Sequence, residues 1–346
     1  MKALRDEPEI LRMANALRVG PGDPVEQIIA FCKGRVESWC GKGRRRRTIE
    51  DIERIVCEKL NLVFEEFGNE DELASLVNKY VSMGEAIFAT LPGLFDEKTY
   101  ATLIERRKIN RNSRDRYIAV IDCRGGKAAR RFFTRWHEIS HLLTLYDQLE
   151  LPLHRSTAKK TPTERLMDTI AGEVGFFDPI LKPIIDAELS SDGRLSFEAV
   201  ERIRTRYSPT ASFQSTLNAC VRRAYIPAAV LEAGLGFKKR EVEQVETLQL
   251  ALIPCDPPKP KIRVLSFVPN EYGRGKIQLH RNMEVPATSP LVTLLRSAGP
   301  LMDQTWVEDL GTWEHSDGSR LPSALVRFEA RRIKDHVLAL IQFANP

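Results

Sequence analysis

Hydrophobic positions recur at helical spacing through most of the first half of the chain. Leu11, Met13, Ala16 and Leu17, then Ile28, Ile29 and Phe31, predict helices over residues 1–40, interrupted at Gly20-Pro21-Gly22-Asp23-Pro24. Thr48-Ile49-Glu50-Asp51 reads as a capping box, and Ile49, Ile52, Ile55, Val56 and Leu60 line one face of a helix that ends near Asn61. Residues 62–67 and 117–122 are short apolar and β-branched runs, predicting two strands of one sheet, an edge of which suits strand addition by a peptide. Between them, residues 72–108 are mostly helical in pattern apart from Leu91-Pro92-Gly93. After the breaker Arg124-Gly125-Gly126 a helix is expected from about Lys127, with Ala128, Ala129, Phe132, Phe133, Trp136, Leu142 and Leu143 on its buried side. A further helix runs from Pro162 to Glu173, with Thr163 as its N-cap.

The second half changes character. Residues 196–206 and 211–224 predict two helices across the turn Tyr207-Ser208-Pro209-Thr210, an αα-hairpin or a helix-turn-helix. After Val245, residues 248–253 and 262–268 read as strands around the rigid joint Pro254-Cys255-Asp256-Pro257-Pro258-Lys259-Pro260. A capped helix at 289–297 and an antiparallel pair at 324–328 and 336–341 complete an α+β module. Length supports this division, because 346 residues exceed the usual size of one domain.

Composition narrows the class. The chain is 42% hydrophobic and 29% charged, a globular balance, and its net charge of +5 does not by itself identify a nucleic-acid binder. Gly41-Lys42-Gly43-Arg44-Arg45-Arg46-Arg47 is a basic block that suits phosphates or an acidic protein partner, or else is a solvated loop before a helix, since no aromatic residues interleave it for base stacking. The start of the chain lacks an apolar signal core and no window approaches 18 apolar residues, so a cytoplasmic protein is expected. Cys32, Cys40, Cys57, Cys123, Cys220 and Cys255 form no C-x-x-C pair and read as reduced thiols. Cys123, at the end of a predicted strand, reads as a buried structural thiol, the alternative being an approach to a metal on the helix that follows.

The chemistry lies in His137-Glu138-Ile139-Ser140-His141. At about 100° per residue the two His lie about 40° apart on a helix, so both imidazoles can bind one tetrahedral ion. Glu138, one step round, is placed to take a proton from a metal-activated water. Glu164 on the following helix is assigned as third ligand; the alternative is a capping-turn carboxylate at the positive end of its helix. Asp168, one turn on, suits the acceptor of a ligating His's other ring N–H, whereas Glu173 lies about 180° round and faces away. No oxyanion donor stands out in the sequence; His154 and Tyr146 are candidates whose alternative reading is structural, and His280, His315 and His336 are isolated along the chain.

These residues resemble the ImmA/IrrE family of metallopeptidases. The resemblance rests on Arg131 to His141, Glu164 with Asp168 four residues on, Ala171 and Pro179, and covers roughly residues 40 to 180. Met167, where the family usually has Ala, and Val174 to Pro179 depart from its pattern. The resemblance implies an α+β, zincin-like metallopeptidase core over 1–180, a helix-turn-helix-like helical region over 181–245 and a C-terminal α+β domain over 246–346, by analogy a GAF-like sensor. It implies Zn²⁺, or Mn²⁺ in its place, on His137, His141 and Glu164, with Glu138 catalytic and Asp168 supporting. The expected function is cleavage of a specific protein, a helix-turn-helix repressor, switching on a stress or mobile-element response. The alternative is a DNA-binding regulator in which the metal site is structural or vestigial and the helical hairpin with the Arg block does the binding.

Overall fold

The computed structural model describes residues 4–41, 48–107, 115–145, 161–238, 241, 259–297, 303–315 and 317–344, and the backbone of 153–156. The basic block 44–47, Tyr146, the side chain of His154, and the expected strand and joint over 248–258 with Cys255 lie outside the described residues. The fold is mixed α+β, and the chain divides into two compact units, Met1–Leu181 with Ile203–Thr216 and Lys182–Arg202 with Leu217–Pro346.

The first unit runs α1 (Pro8–Ala16), α2 (Pro24–Cys40), α3 (Ile49–Leu60), β1 (Leu62–Phe67), α4 (Glu70–Ser82), a 3₁₀ segment (Ala86–Gly93), β2 (Thr99–Glu105), β3 (Tyr117–Asp122), a second 3₁₀ segment (Gly125–Arg130), α5 (Arg131–Leu143), β4 (Leu153–Ser156) and α6 (Pro162–Val174). Thr48 and Asp51 cap α3 reciprocally, and Asn61 ends it in the left-handed region at φ 52°. The sheet has the order β1-β3-β2-β4, with β1 parallel to β3 from Leu62↔Tyr117 to Phe67↔Asp122 and the other pairings antiparallel. Every residue of β3 is buried, as expected of a strand covered on both faces, which explains its unbroken apolar run. Phe67, Ile104, Ile118 and Val120 pack with Leu73, Leu76 and Tyr80 of α4 and with Phe88 and Leu91 of the 3₁₀ segment.

Three local expectations are corrected. Residues 99–105, read as part of a helical stretch, form β2; with both neighbours paired and both faces largely buried, the strand shows no alternation for the sequence to display. The helix expected from Lys127 begins at Arg131. Gly125 takes φ 53°, and the Lys127 ammonium is bound by the Asp96 and Thr99 carbonyls and by Asp122, which holds this segment as a 3₁₀ turn with Ala128 and Ala129 exposed. The N-cap of α6 is Thr161 rather than Thr163, because Pro162 takes the first helical position, where a missing N–H costs nothing.

α7 (Asp178–Asp192), α8 (Phe197–Tyr207) and α9 (Phe213–Arg223) follow, and then the second unit's β5 (Ala228–Gly236), β6 (Lys261–Pro269), α10 (Pro290–Arg296), β7 (Gln304–Asp309), β8 (Leu325–Ile333) and β9 (His336–Phe343). β5 lies within a region expected to be helical. It is a strand because its small and apolar residues are flanked by β6 and β9 in the antiparallel order β6-β5-β9-β8-β7. Leu231, Val264, Phe328, Ala339 and Trp313 form its core together with Leu291 and Leu294 of α10. The Gln342 amide exchanges two hydrogen bonds with the Leu195 backbone, and Glu329 accepts the Phe197 N–H, so these buried polar side chains satisfy orphan backbone groups.

Two contacts position α5. Gly175, just after α6, lies so close to Trp136 that an added Cβ would sit 2.7 Å from the indole ring. Gly175→Ala is therefore expected to destabilise the protein by about 1–3 kcal/mol through overpacking, read as a lowered denaturant midpoint. Asp122, 1% exposed at the end of β3, binds Arg124 at 2.7 Å and Lys127 at 2.6 Å. Burial alone would raise its pKa, but the Arg124 and Lys127 hydrogen bonds outweigh that and hold the carboxyl below its ordinary value. A depressed folded-state pKa means that this contribution is present above the unfolded carboxylate range and is lost as pH falls through the folded value. Asp122→Asn is expected to cost about 2 kcal/mol at neutral pH, and the gap to the wild type should close on acidification in pH-dependent denaturant melts.

Candidate metal centre

α5 carries the centre. Its N-terminal half is held by Arg135, which reaches Glu53 of α3 at 2.5 Å and Glu66 of β1 at 2.8 Å while its guanidinium stacks 4.2 Å over Phe64. Its last turn is closed by Arg35, which donates to the Leu143 carbonyl at 3.1 Å. Inside, Phe132, Trp136, Ile139 and Leu143 are buried, so the helix cannot rotate without exposing them. That fixes the direction in which His137 and His141 point.

The two imidazoles are 1% and 2% exposed and pack edge to face, with centroids 5.0 Å apart and planes at 71°. Glu164 meets them from the first turn of α6, where Thr161 Oγ1 accepts the Glu164 N–H at 3.2 Å. Its carboxylate lies 3.1 Å from His137 Nε2 and 3.3 Å from His141 Nε2, and the two Nε2 atoms are 3.2 Å apart. Asp168, one turn further along α6, lies 2.9 Å from His137 Nδ1. An Nδ1–H donated to Asp168 leaves Nε2 with a free lone pair facing Glu164 and His141.

This donor set fits a metal ion. Two neutral imidazole lone pairs and a carboxylate in mutual contact repel unless a proton or cation lies among them. A tetrahedral zinc with bonds of about 2.0–2.1 Å would space its donors about 3.3–3.4 Å apart. The two Nε2 atoms are 3.2 Å apart, and each lies 3.1 or 3.3 Å from one of the two Glu164 oxygens. Among the described residues, His137, His141 and Glu164 are the only group of three or more His, Cys, Asp or Glu gathered in this way. Burial alone would raise the Glu164 pKa; with hydrogens on the facing Nε2 atoms, whose positive charge a metal ion would replace, His137 and His141 outweigh burial and hold the carboxyl well below its usual range. The carboxylate also sits in the first turn of α6, where the helix dipole favours negative charge.

The remaining sequence candidates fall in different places. Glu138 is 1% exposed on α5, one helical step from His137. Glu173 pairs with Lys33 of α2 at 2.6 Å, at the far end of α6 from Glu164. Cys123 is not part of the donor cluster; it lines a concavity of about 550 Å³ with Glu66, Phe67, Glu72 and Arg131, and burial raises its pKa. Cys32 and Cys220 are buried free thiols and Cys57 is a half-buried one, and burial pushes all three up to about 12.

Sequence reasoning missed Arg135 and Arg35. An Arg two residues before the first His is a readable signal only once the carboxylates of α3 and β1 are known to face it. Compared with known proteins, the chain matches no family model and no curated protein. The buried His137, His141 and Glu164 triad is consistent with a zincin-like metal site.

One zinc per chain is expected to bind the purified protein, measured by elemental analysis after dialysis. His137→Ala and Glu164→Ala should lose it, and Asp168→Ala should weaken it about 10–100-fold by freeing the His137 ring.

Proposed function

We propose that this chain is a zinc-dependent metalloendopeptidase that cuts a specific intracellular protein. The substrate class implied by the ImmA/IrrE resemblance is a helix-turn-helix transcriptional repressor, and its cleavage would switch on a stress or mobile-element response. One observation carries the reading: His137 Nε2 and His141 Nε2 lie 3.2 Å apart and each faces one oxygen of the Glu164 carboxylate, at 3.1 and 3.3 Å, with Glu138 buried beside His137 on the same helix.

The residues divide the work as follows. His137, His141 and Glu164 would hold a zinc ion. Bound there, zinc supplies the Lewis acidity that polarises a peptide carbonyl and makes a water acidic enough to lose its proton near neutral pH. Glu138 takes the proton from the attacking water and delivers it to the leaving amine nitrogen, serving as base and then as acid. Asp168 keeps His137 in the Nδ1–H tautomer, so that its Nε2 remains a donor throughout. Burial of both imidazoles keeps the surroundings of the reacting groups low in dielectric, which strengthens each of these interactions. Choice of target belongs to surfaces away from these groups.

The test is a cleavage assay with the zinc-loaded full chain and a helix-turn-helix repressor encoded beside it, read by mass spectrometry. A single cut is expected. Glu138→Gln should keep zinc and lose about 10²–10⁴-fold in cleavage rate. Equal cleavage by Glu138→Gln would contradict the proposed proton transfer.

A further inference from the structure

Glu164 occupies the first turn of α6, where a helix is weakest because its leading N–H groups have no intrahelical partner and its end frays. The two residues flanking it are both held by the same element. Thr163 Oγ1 donates to Glu9 Oε2 at 2.9 Å, and Arg165 lies 3.8 Å from the Glu7 carboxylate. Glu9 is in the first turn of α1 and Glu7 is its N-cap residue. α1 packs on α2 and α6, with Ile10 and Met13 0% and 1% exposed, so the acceptors are presented from a seated helix. The Arg165–Glu7 pair is exposed and long, and adds little. The shorter, half-buried, charge-assisted bond from Thr163 to Glu9 is the stronger restraint.

From this arrangement we infer that Glu9, acting through Thr163, is a positioning residue for Glu164 and sets the affinity of the centre for zinc. The inference rests on the metal-site reading above. Glu9 does not belong to the donor cluster; it limits the conformations of the turn that carries the carboxylate. Without that restraint the turn must be ordered when metal binds, and the apparent affinity falls by the fraction of chains already in the binding arrangement.

Zinc affinity of the full chain is measured by competition with a chromophoric chelator, and the Co²⁺-loaded absorption bands report the ligand field. Glu9→Ala and Thr163→Val should each weaken zinc binding about tenfold, the range for groups that orient a ligand. The double variant should be no weaker than either single one, because both remove the same bond. Glu9→Gln should stay within about threefold of the wild type, since its amide oxygen accepts the same hydrogen bond. Melting temperatures of the metal-free proteins should stay within about 4 °C of one another, which separates positioning from loss of fold. Unchanged affinity in Glu9→Ala, or Glu9→Gln no better than Glu9→Ala, overturns the inference. Glu164→Ala separates the two ideas. If it binds zinc as the wild type does, the metal-site reading fails; if it loses zinc while Glu9→Ala does not, only the clamp fails.

Discussion

Two imidazole nitrogens and a carboxylate meet within 3.3 Å of one another between α5 and α6. Bringing lone pairs and a negative charge together out of water is unfavourable unless a cation neutralises them, so the surrounding structure must enforce the contact. α5 is fixed from both ends, by Arg135 on Glu53 and Glu66 and by Arg35 on the Leu143 carbonyl, and along its length by Trp136, Ile139 and Leu143. α6 is brought close by Gly175, which gives the Trp136 ring the room it needs. The centre is thus preorganised by side chains that do not belong to it, the arrangement expected where ligand geometry must be held to a fraction of an ångström.

The same logic ties the sheet to the site. β3 ends in Asp122, whose carboxylate gathers Arg124 and Lys127 and shapes the short 3₁₀ turn leading into α5. Lys127 also binds the Asp96 and Thr99 carbonyls at the start of β2, so the turn, the strand and the helix are coupled through one buried carboxylate. The Arg124 guanidinium lies 5.1 Å over the Phe67 ring at the end of β1, which adds the edge strand to the same junction.

Much of this was legible in the sequence, and what was not has physical causes. His137 and His141 declared themselves by spacing, and the helix that carries them by the apolar side of Phe132, Trp136 and Leu143. Glu164 and Asp168 were readable because carboxylates one turn apart share a face, and the structure places Asp168 on His137 Nδ1 and Glu164 on both Nε2 atoms. β2 was hidden because a strand buried on both faces loses its alternation, and β5 because small residues suit either state. The start of α5 was misplaced because the Lys127 and Asp122 contacts that hold the 3₁₀ turn are long-range or lie on the preceding strand. The roles of Arg135, Arg35 and Glu9 depend on partners 69, 108 and 154 residues away and leave no local trace.

The central claim is that His137, His141 and Glu164 form one metal site. X-ray absorption at the zinc edge of the zinc-loaded full chain tests it directly. The account predicts a four-coordinate shell of nitrogen and oxygen at about 2.0–2.1 Å, with the multiple scattering of two imidazoles that disappears in His137→Ala. A sulfur shell at about 2.3 Å, or a signal unchanged by His137→Ala, would contradict it.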